Sequence, residues 1–324
     1  MRETILFDNA LVAAEMLRRG QLVAFPTETV YGLGADATNS DSVAGIFESK
    51  QRPSFDPLIV HVADMAAAQQ VVVDFPELAR KLAAEFWPGP LTLVLPKQRH
   101  ISDLVTAGLP GVGLRIPNHP LAIEVLKAVG RPVAAPSANP FGGISPTTAR
   151  HVLDGLGGKI DGVLDGGPCG VGLESTVVSL TTDQPTLLRP GGLPVEDIEA
   201  VIGPVHRAVS DVFQDDAAQP APGMLSRHYA PNTILQTIAP DDTALPVKNK
   251  LCGLLTYGQF PCGQGFEHIE QLSTSGDLRT CAANFFARLR SLDSANLDVI
   301  IARSFPAKGL GIALNDRLHR AAST

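Results

Sequence analysis

Ala10, Leu11, Ala14 and Leu17 recur at the three- and four-residue spacing of one helix face, with Asp8 placed as an N-cap and Gly20 as a terminator. The run Leu22-Val23-Ala24-Phe25 that follows has no polar position and reads as a buried strand. The alternation then continues along the chain. Helices are predicted from Ser40 to Ser49, Glu77 to Phe86, Pro120 to Val129 and Thr147 to Leu153. Strands are predicted at Leu58–Val62, Leu91–Leu95 (closed by Pro96), Gly113–Ile116, Pro132–Ala135, Ser175–Leu180 and Thr186–Leu188. This is the pattern of an α/β or α+β domain with a substantial sheet over residues 1–204, and spacing alone leaves its strand order open.

The pattern stops between Val205 and Asn232. Asp215-Asp216-Ala217-Ala218-Gln219-Pro220-Ala221-Pro222-Gly223 has no periodicity and ends in three breakers, so residues 205–232 read as a linker. Beyond it, Leu251–Thr256 and Leu297–Ala302 read as buried strands around a helix at Leu278–Leu292, with a last helix at Gly311–Ala321. Residues 233–324 therefore read as a small α/β, Rossmann-like domain. A chain of 324 residues fits two domains at about 150 residues each.

Hydrophobic residues at 44% and charged ones at 18% exclude a disordered or fibrous chain. A formal net charge of −7 argues against a broad nucleic-acid footprint, so any tRNA contact would be local. Four cysteines without a C-x-x-C pair fit neither a zinc site nor a disulfide framework and suit a reducing cytoplasm. No run approaches the ~20 apolar residues of a membrane span.

Five segments carry candidate chemistry. Pro26-Thr27-Glu28-Thr29-Val30-Tyr31-Gly32-Leu33-Gly34 brings hydroxyls and glycines to a strand end, where α/β sheets tend to place ligands, although a polar loop with a tight turn explains it equally well. Lys50 and Arg52 leave a helix end just before Pro53, as a polyphosphate clamp or as cations on the helix C-terminus. His61, inside an apolar strand, reads alone as a core histidine. Arg115 in Gly111-Val112-Gly113-Leu114-Arg115-Ile116-Pro117 needs an anion to be buried, either a substrate carboxylate or an internal acid. Ala135-Pro136-Ser137-Ala138-Asn139 through Ser145 offers small residues, hydroxyls and a helix N-terminus, a weak phosphate signal without a Walker A or G-x-G-x-x-G order. Glu174-Ser175-Thr176 and Arg189 add hydroxyls entering a strand and a cation at a strand end. No Ser-His-Asp order or nucleophile elbow can be built, so the chemistry reads as positioning and charge stabilisation.

In this order the segments resemble the YrdC-like threonylcarbamoyl-AMP synthases, whose Lys-x-Arg with downstream Ser and Asn falls on Lys50, Arg52, Ser137 and Asn139. The likeness extends through Arg227-His228-Tyr229-Ala230-Pro231 and Gly309-Leu310-Gly311-Ile312-Ala313…Asp316-Arg317-Leu318 to the longer, two-domain branch. The resemblance implies a twisted open sheet with a concave cavity. It also implies synthesis of L-threonylcarbamoyladenylate and pyrophosphate from L-threonine, bicarbonate and ATP with Mg2+, for transfer to tRNA by downstream machinery. By the same resemblance, Thr29, His61, Arg115, Ala135 and Ser175 surround threonine. Arg52, Asp56, Gly111, Ser137, Asn139, Ser145, Arg189, His228 and Tyr229 surround ATP, and Lys50 and Arg52 act on the reacting phosphates. Asp56 stands where many relatives carry Asn, and Gly111 where many carry Thr. Two rival readings are a non-catalytic module that docks double-stranded RNA or tRNA, and a carbamoyl-transfer enzyme, whose zinc-finger cysteines this chain lacks. The residues 205–232, with His228 and Tyr229, are expected to form a lid.

Overall fold

The computed structural model describes residues 3–208, 219, 221–224, 228–260 and 262–323. The strands of the first sheet are β1 (Ile5–Phe7), β2 (Val23–Phe25), β3 (Gly32–Asp36), β4 (Ile59–His61), β5 (Leu91–Pro96), β6 (Gly111–Arg115), β7 (Val133–Ala134), β8 (Gly162–Leu164), β9 (Thr176–Ser179), β10 (Thr186–Arg189) and β11 (His206–Arg207). Around them lie α1 (Ala10–Arg18), α2 (Ser40–Lys50), α3 (Met65–Val71), α4 (Glu77–Phe86), α5 (Pro120–Val129), α6 (Ala149–Leu156) and α7 (Val195–Ile202). The sheet runs β1-β8-β2-β3-β7-β4-β6-β5-β9-β10-β11 and is mixed: β4 and β6 are parallel, while β7 lies antiparallel to β4. This register sets His61 beside Arg115 on one side and Val133 on the other.

Local chemistry explains the elements and three departures from expectation. Asn9, not Asp8, caps α1, its side chain accepting from the Leu11 and Val12 amides, because the helix starts at Ala10, the first residue of its apolar repeat. Gly32 and Gly34 are not turn glycines but lie within β3, where a Cβ on Gly34 would come within 2.8 Å of the Phe25 ring. The helix expected at Thr147 begins at Ala149 behind a Thr148 cap, so Ser145 is not at its N-terminus.

The second sheet joins β12 (Ile234–Ile238), β13 (Cys252–Thr256), β14 (His268–Gln271) and β15 (Val299–Arg303) in the order β12-β15-β13-β14, all parallel, with α8 (Leu278–Asp293) and α9 (Leu310–Ala322) packed on it. The two sheets share one apolar cluster: Val30, Ile144 and Leu173 pack with Phe286, Leu314 and their neighbours around Tyr229. Gly172, at φ +75°, seats α8, since a Cβ there would lie 2.3 Å from the Ala282 carbonyl oxygen. Among the described residues no helix is long and apolar enough to cross a membrane.

A cationic cavity between the sheet and the linker

A cavity opens where β3, β4, β6, β7, β9 and β10 end or begin and where the chain after the first sheet crosses them. Thr29, Arg52, His61, Arg115, Ala135, Ser137, Ser175, Arg189, His228 and Tyr229 all line it, with Thr27, Glu174, Pro222 and Gly223.

One wall is built by strands. Arg115 ends β6, donates from Nε to the Gly89 carbonyl at 3.1 Å and meets the Glu28 carboxylate at 2.5 Å. Of the two anions open to it from sequence, the internal acid is therefore present, and a substrate carboxylate would share the guanidinium with Glu28. Beside it, burial and Arg115 push the His61 imidazole down to about 3, so it is neutral at pH 7. The Ser175 hydroxyl is paired with the Thr92 hydroxyl at 2.7 Å, and Thr29 with Thr27 at 2.8 Å. Tyr31, expected to add a third hydroxyl here, instead donates to the Gly167 carbonyl at 2.8 Å.

The other wall gathers cations. α2 ends at Lys50, and Gln51 takes a left-handed conformation (φ +54°) that breaks the helix before Pro53. Lys50 donates to the Ser137 and Asn139 carbonyls, and burial with Arg52 nearby pushes its ammonium well below the usual range, against the pull of Asp56. Arg52 donates to the Asp56 and Pro57 carbonyls at 3.0 and 2.7 Å and pairs with the Asp56 carboxylate at 2.9 Å. Both cations donate to carbonyls outside α2, so neither acts as a simple cap on the helix C-terminus. Arg189 bridges the walls, donating to the Ser175 carbonyl and to the Pro222 carbonyl, both at 2.9 Å.

The chain after the first sheet closes this wall. Gln219 donates its backbone amide to the Phe55 carbonyl at 3.1 Å, and the Ala230 amide donates to the Gly142 carbonyl at 2.8 Å. His228 and Tyr229 meet edge to face at 4.1 Å between ring centres and are buried, yet His228 Nδ1 and Tyr229 Oη find no hydrogen-bond partner among the described residues. Burial and the cations Arg52, Lys50, Arg189 and Arg317 hold the His228 imidazole well below its ordinary value. Arg227, and most of the breaker-rich run 215–220, lie outside the described residues.

Five residues expected near ATP or its phosphates do not line the cavity, and Lys50, turned onto the Ser137 and Asn139 carbonyls, is one of them. Asp56 is fully buried behind Arg52. Asn139 donates from its side chain to the Pro140 and Gly143 carbonyls, shaping the loop. Ser145 donates its hydroxyl to Glu174 instead of sitting on a helix N-terminus. Gly111 begins β6, about 13 Å along the strand from Arg115. Sequence reasoning also passed over Glu174 and Arg317, each inside a quoted motif. Glu174 stood beside more conspicuous hydroxyls, and Arg317 on an amphipathic helix looked like an exposed polar face.

The arrangement can bind anions with buried guanidinium groups, keep two imidazoles neutral and exclude water. Fold and site together define a two-domain α/β protein with a cavity whose buried cations suit small anionic ligands. Residues 15–191 match the Sua5/YciO/YrdC family, described as telomere recombination, and residues 193–323 match the family described as threonylcarbamoyl-AMP synthase, C-terminal domain. The chain is 46% identical to the threonylcarbamoyl-AMP synthase of Bacillus subtilis, over 96% of this chain and 92% of that one. It is 43% identical to that of Pyrococcus abyssi, over 99% and 96%. The crystal structure of P. abyssi Sua5 complexed with L-threonine superposes with a TM-score of 0.89 at 39% identity, covering 99% of this chain and 97% of that one. The chain belongs to the threonylcarbamoyl-AMP synthase family, in its two-domain branch.

Proposed function

We propose that the protein condenses L-threonine, bicarbonate and Mg–ATP into L-threonylcarbamoyladenylate and pyrophosphate, a nucleotidyl transfer in the cytoplasm that supplies tRNA threonylcarbamoylation. The observation that carries this reading is one buried cavity holding Arg115, Ser175 and His61 on a strand wall and Arg52, Arg189 and His228 opposite. In this reading Arg115 takes the threonine carboxylate, with Thr29, Ala135 and Ser175 around the amino acid. The unprotonated amine adds to the bicarbonate carbon and water leaves. The resulting carbamate oxygen attacks the α-phosphorus and pyrophosphate departs. Arg52, Arg189 and Lys50 stabilise the charge that builds on the phosphates, and Ser137 lies at their side. Lys50 and Asn139 also order the loop that presents Ser137. Asp56 acts indirectly, by fixing Arg52.

Both the carbamate and the mixed anhydride are labile in water, so the gain comes from proximity and water exclusion, with Gly223, His228 and Tyr229 closing the cavity. Among the described residues no group of three or more His, Cys, Asp or Glu could hold a metal, so in this proposal Mg2+ enters with ATP, held by phosphates and water. The purified protein with Mg–ATP should release pyrophosphate only when threonine and bicarbonate are both present. Binding of tRNA without such release would favour the non-catalytic module instead.

A further inference from the structure

The second domain touches residues of the cavity wall through one helix. Arg317 on α9 is fully buried, with its Nε donating to a Glu174 oxygen at 2.9 Å and its Nη2 to the Pro190 carbonyl at 3.0 Å. The other Glu174 oxygen accepts from Ser145, so this cavity-lining carboxylate has both oxygens occupied. The guanidinium carbon of Arg317 also stands 4.8 Å from the centre of the Tyr229 ring, a cation–π contact with a cavity-lining side chain. Tyr229 adopts φ +62°, a conformation that a bulky residue holds only when its surroundings fix it. One turn further along α9, Arg320 donates to the Met224 carbonyl at 2.9 Å, and its own carbonyl accepts from the His228 amide at 3.4 Å.

Other contacts between the domains have a different character. Glu196 accepts the Gly309 amide at 2.9 Å, and neither residue lines the cavity. Such a contact holds domains together without touching the site. Arg317 touches two cavity residues, Glu174 just before β9 and Tyr229 on the linker.

We infer that Arg317 is a positioning residue for the nucleotide end of the cavity: from the second domain it sets the Glu174 carboxylate and the Tyr229 ring, while Arg320 fixes the linker on both sides of residues 225–227. The inference rests on the proposed function for the identity of the nucleotide, and it makes the second domain part of the active unit. Arg317 acts through Tyr229 and Glu174 and touches no reacting atom.

The test uses the full chain and separates binding from turnover. Affinity for α,β-methylene-ATP and for threonine is measured by calorimetry, alongside pyrophosphate release, for Arg317→Lys, Arg317→Met, Tyr229→Leu and Arg317→Met with Tyr229→Leu, with Glu196→Ala as the domain-contact control. Arg317→Lys keeps the charge but loses the planar fork, so it should fold and weaken the nucleotide about tenfold while threonine affinity stays within about twofold. The double substitution should cost little more than its larger single one, because both remove the same contact. Glu196→Ala should leave both affinities and turnover unchanged. The inference is overturned if Arg317→Lys lowers only the melting temperature, if it weakens threonine as much as nucleotide, or if the two single effects add in full. An unaltered protein that binds both ligands but releases no pyrophosphate would sink the proposed function and leave the binding split to decide the role of Arg317. An unaltered protein that binds no nucleotide overturns both.

Discussion

The two walls of the cavity are built by different means. Thr29, His61, Arg115 and Ser175 lie on strands or at their ends, and their mutual positions follow from register, as His61 opposite Arg115 illustrates. Their partners are further strand-end groups: Glu28 for Arg115, Thr92 for Ser175 and Thr27 for Thr29. Pro222, Gly223, His228 and Tyr229 instead lie in no helix or strand and are held by contacts from Arg189, Gly142, Arg317 and Arg320 and, at Tyr229, by the apolar cluster between the sheets. A wall made of sheet is preorganised and moves only with the core. A wall held by a few long-range polar contacts can open at a small fraction of the global unfolding free energy. A site that must admit a large nucleotide and then exclude water needs one wall of each kind.

The sharpest way to break that comparison is Arg115→Ala. It removes the cation from Glu28, whose half-buried carboxylate then keeps only the Asn118 amide, at a cost of about 1–3 kcal/mol. Threonine affinity should fall at least about 100-fold with ATP affinity nearly unchanged, read as the two Michaelis constants and a melting curve. Equal losses for both substrates would mean that the walls do not divide the ligands. Next in size, Lys50→Ala and Arg52→Ala should each lower turnover about 10²-fold, the scale of losing one preorganised charge contact, with threonine binding little changed. Threonine binding that collapses with turnover would place these cations on the wrong wall.

The strand wall was also the legible one. Apolar runs and breakers announced β2, β4, β5 and β6, and the polar residues at their ends could be picked out as candidates because a charged or hydroxyl group beside a buried strand is conspicuous. What pattern could not supply was partnership. Glu28 and Arg115 are 87 positions apart, and nothing in either neighbourhood names the other. β1, β8 and β11 escaped for a different reason: β1 and β8 are as long as β2 and β4, and β11 as long as β7, but Asp8, Asp161 and Asp165 cut the runs of the first two short and β11 is itself polar. Glycines misled in β3, where close packing on Phe25 and Ala135, not a turn, demands them. On the linker side only the change of texture was visible. His228 and Tyr229 were reached through family resemblance, and Arg317 drew no attention because its partners Glu174 and Tyr229 lie in other parts of the chain.

A smaller effect tests the linker wall alone. Gly223 has φ +80°, and a Cβ there would come within 2.7 Å of Tyr229 Oη and 3.1 Å of Arg189 Nη1. Gly223→Ala therefore strains the backbone and pushes apart the groups that hold the wall, at about 1–2 kcal/mol. Because this wall opens locally, the cost should appear as a roughly threefold to tenfold fall in turnover with an almost unchanged urea midpoint. A midpoint that drops by the full strain would show that the linker melts with the core, and the contrast between the walls would vanish.

The smallest difference concerns pH, and both walls carry a buried neutral imidazole. On unfolding, each histidine regains an ordinary value near 6.5, whereas folded His61 takes a proton only near pH 3. The unfolded chain therefore binds the extra proton between these limits. Stability is full above about pH 6.5 and falls as pH drops toward 3, by at most about 1.4 kcal/mol per pH unit for each such group. His228 is shifted in the same direction. The two should still differ, because protonation of His61 must breach the sheet, while His228 can be released by opening the linker and then titrates without unfolding the core. Urea midpoints measured from pH 7.5 to 4.5 should decline less steeply in His61→Gln than in the unaltered protein, whereas His228→Gln should track the unaltered curve closely. Equal flattening in both variants would place the two histidines in one cooperative unit and remove the mechanical distinction between the walls.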